Sequence, residues 1–190
     1  MHTDSWNLKA KKLGFRSRAV FKLEEILTKT KALKTNCLVL DVGSAPGGWS
    51  QLIKTLKPKS TVYAVDLLPM DPIKGVYFFQ EDIANIDAIK EILILKTKFD
   101  LVISDLAPNL TGISAVDEEN IFDLNKITLK TAVNYLNKSH GTFILKTFQN
   151  SLLKKMRLEM EKSFNIVQTY KPAASKSKSG EIYLYGERPL

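Results

Sequence analysis

One stretch of the sequence decides the fold: CLVLDVGSAPGGWSQLIKTL, residues 37–56. Its first part, residues 37–42, is a short apolar run of the kind that forms a buried strand. A glycine-rich turn follows at residues 43–48, and residues 49–56 place apolar side chains at helical spacing. A strand, a tight turn and a helix in this order open an α/β sheet, with the turn at the carboxyl end of the strand.

Alternating strands and helices extend outward from this stretch over most of the chain. Further strands are predicted at residues 61–65, 76–79, 99–104, 142–148, 164–170 and 182–185. Helices are predicted at residues 17–33, 84–95, 117–137 and 152–162. Ser17 stands where the N-cap of the first helix is expected. The sequence therefore predicts an α/β fold with a mostly parallel, seven-stranded sheet, helices on both faces and a C-terminal antiparallel hairpin.

Length and composition indicate one domain. The chain has 190 residues, of which 44% are hydrophobic and 25% are charged, a profile typical of soluble globular proteins. The sequence contains no internal repeat and no break in composition of the kind that separates domains. Residues 1–190 are therefore expected to form a single domain, with a basic N-terminal segment and helix at residues 1–33 and a core at residues 37–190.

The composition also excludes several classes of protein. Cys37 is the one cysteine and has no partner for an internal disulfide, and His2 and His140 lie too far apart for the spacing of a zinc site, so no metal is expected. No stretch resembles a signal peptide or approaches the roughly 18 apolar residues of a membrane span. A cytoplasmic location and no membrane partner are therefore expected.

The net charge of +8 is unevenly distributed along the chain. Residues 1–31 hold eight Lys and Arg against three Asp and Glu, and residues 146–178 hold eight against two. Residues 41–125 hold seven against thirteen, so two basic ends flank an acidic middle. If the ends meet in the fold, they form a positive surface suited to nucleic-acid phosphates. The alternative is that the lysines of the second basic end only cover the solvated face of a helix.

Four aspartates follow the first four predicted strands. Asp41, Asp66, Asp82 and Asp105 each lie at or near the carboxyl end of one of them. In open α/β sheets, ligands bind beyond these ends, at the point where the strand order reverses. A single aspartate at a strand end is most often a cap or a turn former, but four in succession indicate a site that attracts a cation.

The glycine turn separates two classes of cofactor. A dinucleotide fold requires the spacing Gly-x-Gly-x-x-Gly, whereas this turn contains Gly43-x-x-x-Gly47-Gly48. Pro46 also removes a backbone donor that a pyrophosphate would need. A nicotinamide-dependent dehydrogenase is therefore disfavoured. A nucleoside that carries positive charge and ribose hydroxyls fits the turn and the carboxylates, and S-adenosylmethionine is such a ligand.

Six segments of the chain are similar to one known family. They read SRAVFKL at 17–23, DVGSAPGGWS at 41–50, DLLPM at 66–70, SDLAPN at 104–109, ILKTF at 144–148 and EIY at 181–183. In this order, from about residue 14 to residue 186, they resemble the RrmJ/FtsJ family of ribose 2′-O-methyltransferases. The resemblance implies a Rossmann-like class I fold that uses S-adenosylmethionine.

The resemblance also implies a substrate class. Residues 66–71 and 105–109 are more similar to the bacterial branch, which methylates a uridine ribose of 23S rRNA in the large ribosomal subunit, than to the cap or tRNA methyltransferases. A 2′-O-methyltransferase that acts on tRNA or another RNA is the first alternative. A catalytically silent RNA-binding module is the second.

Site residues follow from the resemblance, motif by motif. It implies a catalytic tetrad of Lys22, Asp105, Lys146 and Glu181. It implies cofactor contacts at Gly47, Trp49, Asp66, Asp82 and Asp105. The alternatives are that Lys22 is an exposed helix lysine, because Leu23 belongs to the apolar stripe instead, and that Trp49 is a core residue.

Lys146 carries the expected chemistry. Methyl transfer from a sulfonium to a hydroxyl is an in-line displacement with an activated donor, so the enzyme must orient the ribose oxygen and accept or redirect its proton. We expect Lys146 to do this. It ends the apolar run at residues 143–145, where an unpaired ammonium would be costly to bury, so Asp105 and Glu181 are expected as its partners. The alternative is a purely structural ion cluster.

RNA is expected to bind along two basic segments, one before the first helix and one before Glu181. Their members are Lys9, Lys11, Lys12, Arg16, Arg18, Lys171, Lys176 and Lys178. If the tetrad converges, both segments reach the same rim of the fold. Phosphate contacts from this rim would supply affinity that falls with salt, with little base specificity. The protein is expected to act as a monomer.

Overall fold

The structure is a computed structural model that describes residues 5–175 and 179–190. Within these residues, seven strands form one sheet. They are β1 (Leu38–Val42), β2 (Thr61–Asp66), β3 (Val76–Gln80), β4 (Leu101–Ser104), β5 (Thr142–Phe148), β6 (Phe164–Tyr170) and β7 (Glu181–Pro189).

The strand order is β3-β2-β1-β4-β5-β7-β6. Strands β1 to β5 pair in parallel, and β7 lies antiparallel to both β5 and β6. The predicted sheet and its C-terminal hairpin are therefore confirmed. The chain winds outward from β1 in one direction and from β4 in the other, so a crevice lies beyond the carboxyl ends of these two strands.

Six α-helices are present in the described residues. They are α1 (Ser5–Lys12), α2 (Val20–Thr30), α3 (Gly48–Leu56), α4 (Lys90–Leu93), α5 (Ser114–Tyr135) and α6 (Leu153–Glu161). Ser17 precedes α2 by three residues, and its Oγ accepts the N–H of Ala19 at 3.1 Å. In the described part of the chain, no helix is long and apolar enough to cross a membrane.

The helix predicted at residues 84–95 is wrong as a single element. The chain forms a 3-10 segment at Ile83–Ala88, takes an extended conformation at Ile89 and then forms the short α4. Ile83, Ile86, Ile89 and Ile92 are all buried. Their spacing of three residues matches the period of a 3-10 helix and not the 3.6 of an α-helix, so packing favours the tighter turns.

Helix α1 was not predicted from its polar and basic sequence. It forms because one face packs on α2: Ala10 is buried, and the ring of Trp6 lies 5.2 Å from that of Phe21. Tertiary packing stabilises a helix whose own sequence is too short and too polar to do so.

Each face of the sheet carries a separate core. Successive side chains of a strand point to opposite faces, so Val39 packs with α1, α2 and α3 while its neighbour Leu40 packs with α4, α5 and α6. On β5, Lys146 shares the face of Ile144, which α2 covers. This alternation directs Lys146 toward the helix that carries Lys22.

Candidate active site

The four predicted catalytic residues lie together at the carboxyl edge of the sheet. They form two ion pairs. Lys22 Nζ on α2 lies 2.5 Å from Glu181 Oε1, at the start of β7. Lys146 Nζ on β5 lies 3.2 Å from Asp105 Oδ1, directly after β4, and also donates to the backbone oxygen of Asp105 at 2.5 Å. The predicted partnership of Lys146 with Asp105 is present, whereas Glu181 pairs directly with Lys22.

Tyr183 connects the two ion pairs. Its hydroxyl lies 3.1 Å from Asp105 Oδ1 and 3.1 Å from Glu181 Oε1. It can donate its one hydrogen to one of these oxygens at a time. Sequence reasoning gave Tyr183 no role, although a signal was present: a residue two positions after Glu181 in a strand shares its face.

The cluster is largely excluded from water. Lys22 is 6% exposed and Lys146 is 9% exposed. Lys22 is therefore not an exposed helix lysine. An ammonium group in such a place is stable only when a carboxylate and further hydrogen bonds compensate for lost hydration, and Asp105 and Glu181 supply them.

The surroundings change the protonation of three acidic groups. Burial acts to raise the pKa of Glu181, but the hydrogen bond and charge of Lys22 outweigh it, so that pKa is lowered. Burial raises the pKa of Asp105 despite the opposing charges of Lys146 and Lys22. Burial and the two neighbouring carboxylates raise the pKa of Tyr183 well above its usual value. Glu181 therefore stays ionised and Tyr183 stays protonated at neutral pH.

A cleft adjoins the tetrad beyond the ends of β1, β2 and β4. It encloses about 540 Å³, within the range of small-molecule sites, and Asp66 and Asp82 lie in its wall. A smaller cavity shares Gly43 with it and is lined by Trp49 and Asp105. Four of the predicted cofactor residues thus line two adjoining spaces.

Gly47, the fifth predicted cofactor residue, lies within the glycine turn. Its φ of 101° is in the left-handed region, and a Cβ there would come within 3.0 Å of Ile73, Met70 and Arg16. The turn therefore requires glycine at this position for reasons of packing as well as conformation.

Arg16 holds this turn in place. Its guanidinium donates hydrogen bonds to the backbone oxygens of Pro46 at 3.1 Å, Asp71 at 2.7 Å and Pro72 at 2.9 Å. Arg16 thereby joins the glycine turn to the loop after β2. Arg16, which is expected on the RNA-binding rim, therefore also stabilises the glycine turn.

Trp49 is a core residue that also lines the smaller cavity. The side chain is buried, and its Nε1 donates to the backbone oxygen of Ala19 at 2.9 Å. Its ring lies 5.9 Å from that of Tyr183. Trp49 therefore packs α3 against α2 and the tetrad while lining the smaller cavity.

Backbone donors fix the two carboxylates of the cleft. Asp66 accepts the N–H groups of Ala45 at 2.9 Å and of Leu68 at 2.8 Å. Asp82 accepts that of Ala84 at 2.9 Å and caps the 3-10 segment. Each carboxylate oxygen can accept more than one hydrogen bond, so both side chains are held in position and retain acceptor capacity for a ligand.

Asp41 differs from the other strand-end aspartates because it is fully buried below the glycine turn. Its Oδ2 accepts the hydroxyl of Ser50 at 2.6 Å, whereas its Oδ1 has no hydrogen-bond partner within the described residues. Burial raises the pKa of Asp41 to about 7, against the effect of Ser50, and the charges of Asp105 and Asp66 add to the rise. Asp41 is therefore largely protonated below neutral pH.

Replacing Asp41 with asparagine tests this protonation. The folded-state pKa of about 7 lies above the ordinary 3.8, so the stability that the proton contributes is present at low pH and is lost as the pH rises through 7. We expect the asparagine variant to gain about 3 kcal/mol relative to the natural protein between pH 5 and pH 8, at about 1.4 kcal/mol per pKa unit. Denaturant unfolding at both pH values measures it.

The control for this comparison is Asp123→Asn, at an exposed position on α5. We expect the free energy of unfolding of this control to follow the pH profile of the natural protein. If the Asp41→Asn profile also runs parallel to that of the natural protein, Asp41 is not protonated in the fold.

The loop that carries the second basic segment packs against α2, the helix that follows the first basic segment. The N–H of Ala173 donates to Glu25 Oε2 at 2.8 Å, which fixes the loop after β6 against α2. Lys11 and Lys12 are exposed on α1, and Lys171 is exposed in that loop. Of the other predicted members, Lys9 lies over the rings of Trp6 and Phe21. Lys176 and Lys178 lie outside the described residues.

No group of three or more metal-ligating side chains that could hold an ion occurs among residues 5–175 and 179–190. The acidic groups of the site are accounted for by lysines, hydroxyls and backbone N–H groups. Among the residues described, these carboxylates are positioned as hydrogen-bond acceptors.

The chain is similar to known methyltransferases over nearly its whole length. The sequence profile of the FtsJ-like methyltransferase family matches residues 15–188. A Thiobacillus denitrificans protein named ribosomal RNA large subunit methyltransferase E is 39% identical over 191 residues, covering 99% of this chain and 86% of the relative. The protein of that name from Neisseria gonorrhoeae is 42% identical over 181 residues, covering 94% of this chain and 87% of the relative.

Solved structures show the same likeness. A Plasmodium falciparum protein assigned as a ribosomal RNA methyltransferase aligns with a TM-score of 0.81 at 33% identity, covering 93% of this chain and 99% of that chain. The Methanococcus jannaschii pre-rRNA processing protein fibrillarin aligns with a TM-score of 0.60 at 16% identity, covering 83% of this chain and 68% of that chain. The second likeness shows a shared fold alone.

Proposed function

Because the chain belongs to the FtsJ-like methyltransferase family, we propose that it methylates the ribose 2′-oxygen of a uridine in 23S rRNA of the large ribosomal subunit, with S-adenosylmethionine as the donor. Relatives named ribosomal RNA large subunit methyltransferase E support this substrate. The observation that carries the proposal is the buried pair of Lys146 and Asp105, joined through Tyr183 to Lys22 and Glu181, beside a carboxylate-lined cleft.

The cleft suits S-adenosylmethionine by its donors and acceptors. Asp66 and Asp82 are positioned acceptors for the polar hydrogens of adenosine, and Asp105, a member of the tetrad, lines the smaller adjoining cavity. The buried Oδ1 of Asp41, which has no partner in the described residues, adds negative potential below the turn when ionised. Gly47 allows close approach of the backbone, and Trp49 lines the adjoining cavity. When bound, S-adenosylmethionine supplies a methyl group activated by its sulfonium.

Lys146 positions the ribose oxygen. An ammonium group has three hydrogens, and Lys146 directs two of its donors to the backbone oxygen and the carboxylate of Asp105. The third is available to the 2′-oxygen. Lys146 passes one of its protons to the carboxylate of Asp105, and the nitrogen lone pair freed in this way accepts the proton of the 2′-hydroxyl as that oxygen forms its bond to the methyl carbon and the carbon–sulfur bond breaks. Glu181 holds Lys22 so that its charge faces the same cluster.

The rRNA is proposed to lie along the basic rim above the tetrad. The rim consists of Lys9, Lys11, Lys12, Arg16, Arg18, Lys171, Lys176 and Lys178. The contact between Glu25 and Ala173 supports a shared surface for its two segments. In this proposal residues 1–190 act as one methyltransferase domain and as a monomer, in the cytoplasm where ribosomal subunits assemble.

Transfer of a tritiated methyl group tests the function. The purified protein is incubated with labelled S-adenosylmethionine and, separately, with unmodified large ribosomal subunits, 23S rRNA and bulk tRNA. We expect label in 23S rRNA at one uridine ribose, mapped by resistance to alkaline cleavage. Label in tRNA alone would overturn the proposed substrate. Absence of both transfer and S-adenosylmethionine binding by titration calorimetry would instead indicate an RNA-binding module.

A further inference from the structure

A second set of basic residues lies at the opposite end of the sheet from the tetrad. It consists of Lys31, Lys34, Lys57 and Arg188, which we call the opposite basic face. The first three precede the amino ends of the parallel strands β1 and β2, and Arg188 lies near the end of the antiparallel β7. Lys31, Lys34 and Arg188 are exposed, and Lys57 is half-exposed.

Three of these side chains share one pocket, and the fourth, Lys57, lies near Lys34. Lys31, Lys34 and Arg188 line a single pocket of about 130 Å³ together with His140. Lys34 and Lys57 both lie near enough to the Cys37 thiol for their charges to lower its pKa, against the larger effect of burial that raises it. The four cations therefore act on one region of the surface.

The acidic groups near this face already have partners. Glu187 accepts the hydroxyl of Tyr185 at 3.0 Å. Asp100 lies 2.7 Å from His140 Nε2 and also accepts the N–H of Leu38 at 2.7 Å. Because the cations outnumber these two carboxylates, the face has a net positive charge.

Helix stabilisation accounts for only part of this arrangement. Lys31 and Lys57 are the C-caps of α2 and α3, where the helix dipole favours cations. Lys34 lies four residues beyond the end of α2. Arg188 has a φ of 56°, in the left-handed region that non-glycine residues seldom adopt. Stabilisation of a helix end therefore explains neither Lys34 nor Arg188.

We propose that the opposite basic face binds the phosphate backbone of a second segment of the RNA substrate, away from the nucleotide that is methylated. This inference rests on the proposed function, which supplies a large folded RNA as the partner. Thr142, which lines the pocket, precedes Lys146 by four residues on β5, so the two contacts are separated by about 13 Å along the strand and face in opposite directions. The tetrad and the opposite basic face therefore bind separate segments of the RNA, and a large folded rRNA can present two such segments.

The test is the salt dependence of binding to isolated large ribosomal subunits. In the triple variant Lys31→Gln, Lys34→Gln, Arg188→Gln, three phosphate contacts are removed, so the slope of log K against log salt falls by about 2 to 3 and the affinity falls roughly tenfold or more. Lys34→Gln alone lowers the slope by about 1. Lys57 is kept because it is only half-exposed.

The matched control removes three charges elsewhere, at Lys90, Lys130 and Lys154, which are exposed on α4, α5 and α6. Its slope is expected to stay close to that of the natural protein. Both triple variants are expected to keep S-adenosylmethionine affinity, and the loss of the Lys31 cation at the C-cap of α2 is expected to lower the melting temperature by at most a few degrees. Equal slopes for the two triple variants would overturn the inference. A natural protein that binds subunits but methylates no RNA would overturn the proposed function, while the slopes still decide the binding face.

Discussion

Substitution of Lys146 by methionine is expected to lower kcat for methyl transfer by about 10²- to 10⁴-fold, the usual contribution of a positioned proton-transfer group. Methionine keeps most of the length and apolar character of the lysine stem, so the buried space beside Tyr183 stays filled. Lys146 lines neither the cleft nor the smaller cavity, and we therefore expect S-adenosylmethionine affinity to stay within a few-fold of the natural value.

Loss of the ammonium also leaves Asp105 with fewer partners, so stability must be measured beside activity. Removing one member of a buried ion pair costs about 3–5 kcal/mol, although Tyr183 still donates here. Lys146→Arg keeps the charge but not the geometry of the ammonium. We expect it to be folded and yet at least 10²-fold slower.

Single-turnover kinetics with saturating S-adenosylmethionine check this prediction. Lys154→Met, at an exposed position of α6, is the control and should retain full activity. Normal turnover in Lys146→Arg would show that Lys146 serves only as the positive member of a structural ion cluster, and would refute its role in positioning the ribose oxygen.

Gly43→Ala is expected to destabilise the protein by about 2–5 kcal/mol and to abolish S-adenosylmethionine binding. Gly43 has a φ of 77°, and a Cβ there would lie 2.5 Å from the side chain of Leu106 and 3.2 Å from its Cα. The left-handed conformation costs alanine about 1–2 kcal/mol, and the overlap costs about 1–3 kcal/mol more. Because Leu106 follows Asp105 directly, relief of the overlap displaces the wall between the cleft and the tetrad.

Thermal unfolding and titration calorimetry measure the two effects. For a chain of this size, a loss of 1 kcal/mol lowers the melting temperature by about 2–4 °C. Gly14→Ala is the matched control, since Gly14 also has a positive φ, 73°, but its Cβ would meet nothing within 4 Å. The Gly14→Ala variant should lose only the stability that the left-handed conformation costs alanine, about 1–2 kcal/mol, and should keep S-adenosylmethionine binding. Equal losses in both variants would show that the contact with Leu106 is unimportant.

Much of the fold was predictable from local pattern. The stretch at residues 37–56 contains a strand, a glycine turn and a helix, and all three are present. The segment from Ile83 to Ile92 was predicted as one α-helix because, over so short a length, a three-residue spacing of isoleucines resembles the α-helical period. Helix α1 was not predicted because the contacts that stabilise it lie on α2. In both cases, packing outside the segment decided the local conformation.

The members of the tetrad were predictable from their motifs, but their pairing was not. Lys22 and Glu181 are 159 positions apart in the sequence, and only the docking of α2 beside β7 brings their side chains within 2.5 Å. The linking role of Tyr183 depends on its register opposite Lys146 across β5 and β7. Asp41 keeps its proton near neutral pH because it is buried. The opposite basic face forms because the residues after α2 lie beside the end of β7.

The sequence by itself determined the mostly parallel sheet, its glycine turn and the residues available for chemistry, because periodicity, turn residues and motifs are local properties of the chain. Only the tertiary structure decided which charged side chains form ion pairs, which of them are buried away from water, and at which end of the sheet each basic surface lies. Ion pairing and desolvation depend on distances between side chains from remote segments, and packing of the whole chain sets those distances.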